Sequence, residues 1–182
     1  TDRLGKRLGF ADSDVITLDP AAGTGTYLLG VVEHALEQVK QLQGAGAVPG
    51  RATQLAKNLY GFELMVGPYA VTELRLSRAL NDEGATLPDD GTNIYLTDTL
   101  ENPHATPQQL SYYLQPIADQ HEMALKVKRD VPVIVCLGNP PYDRHEAATA
   151  DNKAQTGGWV RWGDDDQGRQ AILNDFIEPA VA

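Results

Sequence analysis

The segment LDPAAGTGTYLL, residues 18–29, places a glycine turn between an apolar run and a helical pattern. Gly23 and Gly25 let the backbone approach a ligand closely, and the helix that follows points its N-terminus at the same place. A tight structural turn or a nicotinamide site would explain the glycines equally well. Two details oppose a nicotinamide site, because Leu28 replaces the third glycine of that fingerprint and Asp19 would repel a pyrophosphate.

The negative charge of Asp19 instead favours a cationic ligand. S-adenosylmethionine carries an ammonium group and a sulfonium group and has no phosphate, so an acidic residue beside the glycine turn suits it electrostatically. We therefore expect S-adenosylmethionine to be the cofactor.

Two more carboxylates follow apolar runs. Glu63 in YGFELM can accept hydrogen bonds from both hydroxyls of a ribose, and Asp98 in NIYLTDTL can accept one from an adenine amino group. Taken singly, Glu63 is as well explained as a surface residue, and Asp98 as a turn former. In a doubly wound sheet, however, ligands sit beyond the carboxyl ends of the strands, near the point where the strand order reverses. We therefore expect Asp19, Glu63 and Asp98 to converge on one bound nucleoside.

The sequence NPPY follows the apolar run VIVCLG directly. On its own it would be a proline-rich turn. If the strand order is 3-2-1-4, this run lies beside the first strand, and Asn139 faces the methyl donor. The Asn139 amide oxygen and a backbone carbonyl fixed by Pro140 and Pro141 can hold a flat amino group by its two hydrogens, which frees the nitrogen lone pair for attack on the methyl group. Tyr142 offers a ring on which a flipped base can stack.

Strands and helices alternate along the chain and would position these residues. Apolar runs predict strands at 15–20, 59–63, 93–98 and 131–139. Apolar spacing predicts helices at 26–43 and 67–81, a third helical stretch from Thr106 that Pro116 kinks or breaks, and a short helix at 170–177. Residues 143–168 show no clear period and predict a long loop. This alternation predicts an α/β fold with a mainly parallel, doubly wound sheet.

Four segments, DPAAGTGTYLL, GFELMVGPYAVTELRL, NIYLTDTLENP and LGNPPY, occur in an order and spacing that resemble adenine-specific DNA methyltransferases of the gamma arrangement. The resemblance runs from Val15 to Tyr142, and more weakly to Pro179. It is closest to the methylase portion of single-chain restriction-modification enzymes that also carry nuclease and helicase-like ATPase domains. The resemblance implies a Rossmann-like S-adenosylmethionine-dependent methyltransferase fold and methylation of the exocyclic amino group of a flipped adenine in double-stranded DNA.

The resemblance also assigns residues to two sets. The cofactor-binding set is Asp19, Pro20, Gly23, Gly25, Glu63, Leu64, Asp98 and Thr99. The catalytic set is Asn139, Pro140, Pro141 and Tyr142.

The same comparison predicts that residues 1–182 are a partial methyltransferase core. Residues 1–14 lack the additional cofactor segment that normally precedes the glycine motif, and no target recognition domain follows the catalytic motif. With 15 basic and 25 acidic residues, a net charge of −10, the chain has little with which to neutralise DNA phosphates. We expect recognition domains, and nuclease or ATPase domains, of the same polypeptide to make most of the contacts with DNA.

Two other functions remain open on the sequence alone. Asn-Pro-Pro-Tyr suits any planar nitrogen with two hydrogens, so a glutamine side chain of a protein, or RNA, is an alternative substrate. A cofactor-binding module without turnover is an alternative of another class, although the intact NPPY argues against it.

The remaining composition indicates a cytoplasmic protein. Cys136 lies in VPVIVCLG, where we expect a small buried hydrophobic side chain. We find neither a run of membrane-span length nor the apolar core of a signal peptide, so no membrane partner is expected. We identify no set of metal ligands.

Overall fold

The computed structural model of the chain describes residues 5–88, 91–104 and 115–140. Within these ranges the strands are β1 (Thr17–Asp19), β2 (Leu59–Glu63), β3 (Asn93–Leu96) and β4 (Val135–Cys136). The helices are α1 (Thr26–Gln43), α2 (Val48–Asn58), α3 (Val66–Asp82) and α4 (Gln115–Asp130). Short 3₁₀ turns at Gly9–Ala11 and Ala45–Ala47 precede β1 and α2.

The four strands form one parallel sheet in the order β3-β2-β1-β4. Asp19 lies opposite Gly61, and Leu18 lies opposite Cys136 on the other side of β1. The strand order therefore reverses between β1 and β4, which is where α/β sheets bind ligands. The predicted α/β class, the parallel sheet and the 3-2-1-4 order are confirmed.

The helices cover both faces of the sheet. Helices α1, α2 and α3 pack against one face in a cluster that includes Leu59 and Ile94. Helix α4 packs against the other face, where Phe62 and Tyr95 meet its residues. This division follows from the right-handed crossover rule, because the chain moves from β1 to β3 in one direction and from β3 to β4 in the other.

Helix α1 shows how the sequence places an element beside the strand ends. Its buried side chains recur at helical spacing on the face that meets the sheet: Leu28, Val31, Val32, Ala35, Leu36 and Val39. The helix begins after Gly25, whose φ of 80° is left-handed, and ends before Gly44. A left-handed residue suits glycine because a Cβ would clash there.

Strand β4 is shorter than expected, and the prediction of a buried Cys136 was wrong. The predicted strand at 131–139 is regular only at Val135–Cys136, and both Ile134 and Cys136 are exposed. A continuous apolar run predicted burial on both faces. Within the described residues, however, β4 pairs with β1 alone and lies at the edge of the sheet.

Two helices differ from the sequence-based expectation. Helix α2 was not predicted, because Pro49 and Gly50 near its start resemble a turn, although proline is well tolerated in a first helical turn. For the same reason Pro116 is tolerated as the second residue of α4, which continues to Asp130. The expected interruption at Pro116 of a helix from Thr106 concerns residues outside the described ranges. The predicted start at Thr106, the loop at 143–168 and the helix at 170–177 lie outside the described residues.

Across the part of the chain that the structure describes, none of the helices combines the length and the apolar character needed to cross a membrane.

Candidate functional site

The glycine turn after β1 is held by hydrogen bonds to its own chain and to β2. Oδ1 of Asp19 accepts the amide of Ala21 at 3.0 Å, and the amide of Ala22 donates to the carbonyl of Phe62 at 2.9 Å. Gly23 and Gly25 have φ values of 56° and 80°. The turn is thus fixed in a shape that only glycines adopt at little cost, and it leads directly into α1.

Helix α3 stabilises this turn through Thr72 and Arg75, two residues that the sequence pattern did not predict as part of the site. The hydroxyl of Thr72, a fully buried residue, donates to the carbonyl of Gly23 at 2.6 Å, and Nη1 of Arg75 donates to the carbonyl of Thr24 at 2.6 Å. A Cβ on Gly25 would lie 3.0 Å from the Thr72 methyl group. The 3-residue spacing of Thr72 and Arg75 on one helix face is a weak signal that only the fold makes meaningful.

Glu63, at the end of β2, uses both carboxylate oxygens. Oε2 accepts the amide of Gly23 at 2.8 Å, and Oε1 accepts the amide of Met65 at 2.8 Å. A carboxylate has about four acceptor positions, so these bonds leave capacity for two hydroxyl donors. The following Leu64 is 69% exposed and offers an apolar surface beside the carboxylate.

Asp19 is a buried carboxylate with an unsatisfied oxygen. It is fully inaccessible to solvent, and among the described residues Oδ2 has no hydrogen-bond donor. Burial, reinforced by the charge of Glu63, raises the pKa of Asp19 above its ordinary value. A buried oxygen without a donor, next to a second carboxylate, provides the electrostatic environment that a cationic ammonium would relieve, so the residues present fit the expected cofactor.

The loop after β3 is tied to the loop after β1. The hydroxyl of Thr99 donates to the carbonyl of Pro20, although the two residues are 79 positions apart. The exposed Asp98 accepts the amide of Leu100 at 2.9 Å through Oδ1. The structure therefore joins Thr99 to Pro20, which precedes the glycine turn, with Asp98 directly before Thr99 in the chain.

Gly138, the residue directly before the NPPY motif, lies against Asp19. A Cβ on Gly138 would lie 2.5 Å from Oδ1 of Asp19, so only a glycine lets the backbone pass this close. Asn139 and Pro140 follow directly and are exposed. Pro141 and Tyr142 lie outside the described residues.

All the predicted site residues that the structure describes thus lie at or after the carboxyl ends of the strands. The three carboxylates end or follow β1, β2 and β3, and Asn139 follows β4 on the far side of β1. This arrangement can bind a ligand that has a cationic end near Asp19 and hydroxyl or amino donors for Glu63 and Asp98. Asn139 is exposed and follows directly on Gly138, which lies against Asp19.

The chain is similar to parts of large DNA-bound enzymes of known structure. No protein-family model matches it, and no curated protein does. It is 27% identical, over 78% of its length and with a TM-score of 0.55, to the ATP-dependent Type ISP restriction-modification enzyme LlaBIII bound to DNA. It is also 27% identical, over 83% of its length and with a TM-score of 0.55, to a nuclease-deletion mutant of the Type ISP restriction-modification enzyme LlaGI in complex with a DNA substrate mimic.

A third structure, the DrdV–DNA complex, is 25% identical over 83% of this chain, with a TM-score of 0.53. The matches span only 9%, 12% and 13% of the LlaBIII, LlaGI and DrdV chains. The described α/β unit thus corresponds to about a tenth of proteins that include two restriction-modification enzymes solved with DNA.

Proposed function

We propose that this chain is the S-adenosylmethionine-binding core of a restriction-modification enzyme and that it takes part in methylation of the exocyclic amino group of adenine in DNA. One observation carries the proposal most directly. The reversal of strand order brings Gly138 against Asp19, so that Asn139 adjoins the buried carboxylate. Asn139 would thus offer an acceptor for the nitrogen to be methylated close to Asp19, the residue suited to the cationic end of the cofactor.

On the cofactor side, each of three carboxylates would bind a different part of the cofactor. Asp19 would attract the ammonium group, Glu63 would accept hydrogen bonds from the ribose hydroxyls, and Asp98 would accept one from the adenine amino group. Leu64 would pack against the adenine, and Thr99 would hold the Asp98 loop in place through Pro20. S-adenosylmethionine, when bound, supplies a methyl group activated by a positively charged sulfur.

On the target side, Asn139 would orient the nitrogen nucleophile. Its amide oxygen, with a carbonyl of the proline-rich turn, would accept both hydrogens of the target amino group and favour a tetrahedral nitrogen with an available lone pair. The nitrogen–methyl bond would form as the sulfur–methyl bond breaks, and the sulfur keeps that electron pair. An amide oxygen is too weak a base to retain a proton, so the proton released by the methylated nitrogen would pass to water.

The choice of DNA as the substrate rests on the structural matches. Two of the matched proteins are restriction-modification enzymes, and all three were solved with DNA. The net charge of −10 indicates that the phosphate contacts lie mostly outside these 182 residues. We therefore expect this piece alone to leave duplex DNA unmethylated at any defined sequence.

The test is a comparison of methyl acceptors with the full-length protein. Methyl-labelled cofactor is incubated with mixed-sequence duplex DNA, RNA, or a protein that presents an accessible glutamine, and the digested products are identified by mass spectrometry. We expect label in N6-methyladenine from DNA. Label in glutamine or in RNA would move the proposal to the alternative substrates, and tight cofactor binding without any transfer would favour a binding module.

A further inference from the structure

Helix α4 contacts the loop after β3 through two ionisable side chains. Nζ of Lys128 donates to the backbone carbonyl of Asp98 at 2.5 Å. Further along the same loop, Oε2 of Glu101 lies 2.5 Å from Nε2 of His121. The loop that carries Asp98 is therefore held from the sheet face opposite the one that α1, α2 and α3 cover.

Lys128 differs from an ordinary surface lysine. Its ammonium group lies 5.6 Å from the centre of the Phe62 ring, which is 1% exposed and packed in the core. Burial lowers the pKa of Lys128, while the charges of Glu101 and Asp98 act in the opposite direction. The ring and the Asp98 carbonyl together fix the ammonium, so the side chain can transmit the position of α4 to the loop.

Lys126 provides a natural comparison on the same helix. Its side chain is 58% exposed, and it pairs with Glu122 across one turn at 3.1 Å. Such an exposed pair contributes little to stability. The two lysines thus differ in what they contact, although both carry the same charge on α4.

We propose that Lys128 is a positioning residue that holds the Asp98 backbone so that the Asp98 carboxylate selects the 6-amino group of the cofactor's adenine. The contact is to the backbone carbonyl, so it leaves the carboxylate available. Oδ1 of Asp98 already accepts the Leu100 amide, which fixes the carboxylate relative to that backbone. This inference rests on the proposed function, because it assigns a purine to the site.

The experiment compares two nucleosides in calorimetry with the full-length protein. The probes are S-adenosylhomocysteine and S-inosylhomocysteine, in which an oxygen replaces the 6-amino group and would face the Asp98 carboxylate with a lone pair. The variants are Lys128→Met, Lys128→Arg and Asp98→Ala, with Lys126→Met as the matched control. The quantity compared is the ratio of the two affinities, which reports only on folded protein.

We expect the wild-type protein and Lys126→Met to prefer the adenine probe about tenfold or more, as a hydrogen bond to a charged group would give. Lys128→Met should lose most of that preference, Lys128→Arg should keep part of it, and Lys128→Met combined with Asp98→Ala should match Asp98→Ala alone. If Lys128→Met does not fold, Lys128→Gln is measured in its place, and we expect it to lose the preference for the adenine probe in the same way.

Two results would overturn the inference in distinguishable ways. A Lys128→Met protein with the wild-type ratio of the two affinities, whether or not both probes bind more weakly, would show that Lys128 does not position Asp98. A wild-type protein that binds neither probe would overturn the proposed function itself, and the inference with it.

Discussion

Oε2 of Glu63 accepts the backbone amide of Gly23 at 2.8 Å, although 40 positions separate the two residues in the chain. This bond joins the end of β2 to the glycine turn after β1. The carboxylate therefore has a structural role in the folded protein as well as the proposed contact with the ribose of the cofactor.

Replacing Glu63 should separate these two roles. Glu63→Ala leaves the amides of Gly23 and Met65 without acceptors, and we expect a loss of about 1–3 kcal/mol in the free energy of unfolding. Glu63→Gln keeps one acceptor oxygen and should lose less stability, while both variants bind S-adenosylhomocysteine more weakly by calorimetry. The control is Glu33→Ala, at an exposed position of α1. Unchanged affinity in both Glu63 variants would remove this residue from the site.

Two glycines around the start of α1 should respond to alanine with opposite signs. Gly25 has a φ of 80°, and an added Cβ would meet Thr72, so Gly25→Ala should lower the free energy of unfolding by at least ~1 kcal/mol. Gly30 lies inside α1 with open space around it, so Gly30→Ala should stabilise by about 0.5–1 kcal/mol. Urea denaturation of both variants checks the pair. Equal effects would show that the turn is not held in its left-handed shape.

The buried Asp19 should reduce stability at neutral pH. Its pKa in the folded protein is raised above the ordinary value of 3.8, chiefly by burial. Between 3.8 and the raised pKa, the folded state binds more protons than the unfolded state, so this carboxyl group makes stability fall as pH rises through that window. Asp19→Asn should therefore unfold at a higher denaturant concentration than the wild type at pH 7, and its advantage should shrink as the pH approaches 3.8.

Cofactor affinity should change in the opposite direction in the same variant. Asparagine cannot neutralise a cationic ammonium, so Asp19→Asn should bind S-adenosylhomocysteine more weakly while it is more stable. A variant that is less stable than the wild type at pH 7 would contradict the burial argument, and one with unchanged affinity would contradict the role of Asp19 in the site.

The residues that end strands could be predicted from the sequence because two simple patterns coincide there. Apolar runs mark strands, and in a parallel sheet the residue after each run reaches the same edge, so residue order alone was enough to group Asp19, Glu63 and Asp98. Thr72, Arg75 and Lys128 could not be found in this way. Their partners are backbone carbonyls 49, 51 and 30 positions away. Because every residue has a backbone carbonyl, residue types do not show which one accepts a hydrogen bond.

Two further differences have local causes. Pro49 near the start of α2 resembled a turn, since a proline in the first helical turn is indistinguishable by residue type from one in a loop. Cys136 was expected in the core, because a continuous apolar run is typical of an interior parallel strand. The run instead lies at the edge of the described sheet, and the sequence does not state how many strands stand beside it.

The central claim is that Asn139 acts on the nitrogen nucleophile beside the cofactor site. Single-turnover methyl transfer from S-adenosylmethionine to duplex DNA, measured with full-length wild-type protein, Asn139→Ala and the exposed α3 control Asn81→Ala, tests it most directly. We predict that Asn139→Ala slows transfer by roughly 100-fold or more while its affinity for S-adenosylhomocysteine is unchanged, and that Asn81→Ala behaves as the wild type. Near-normal transfer by Asn139→Ala would contradict the account.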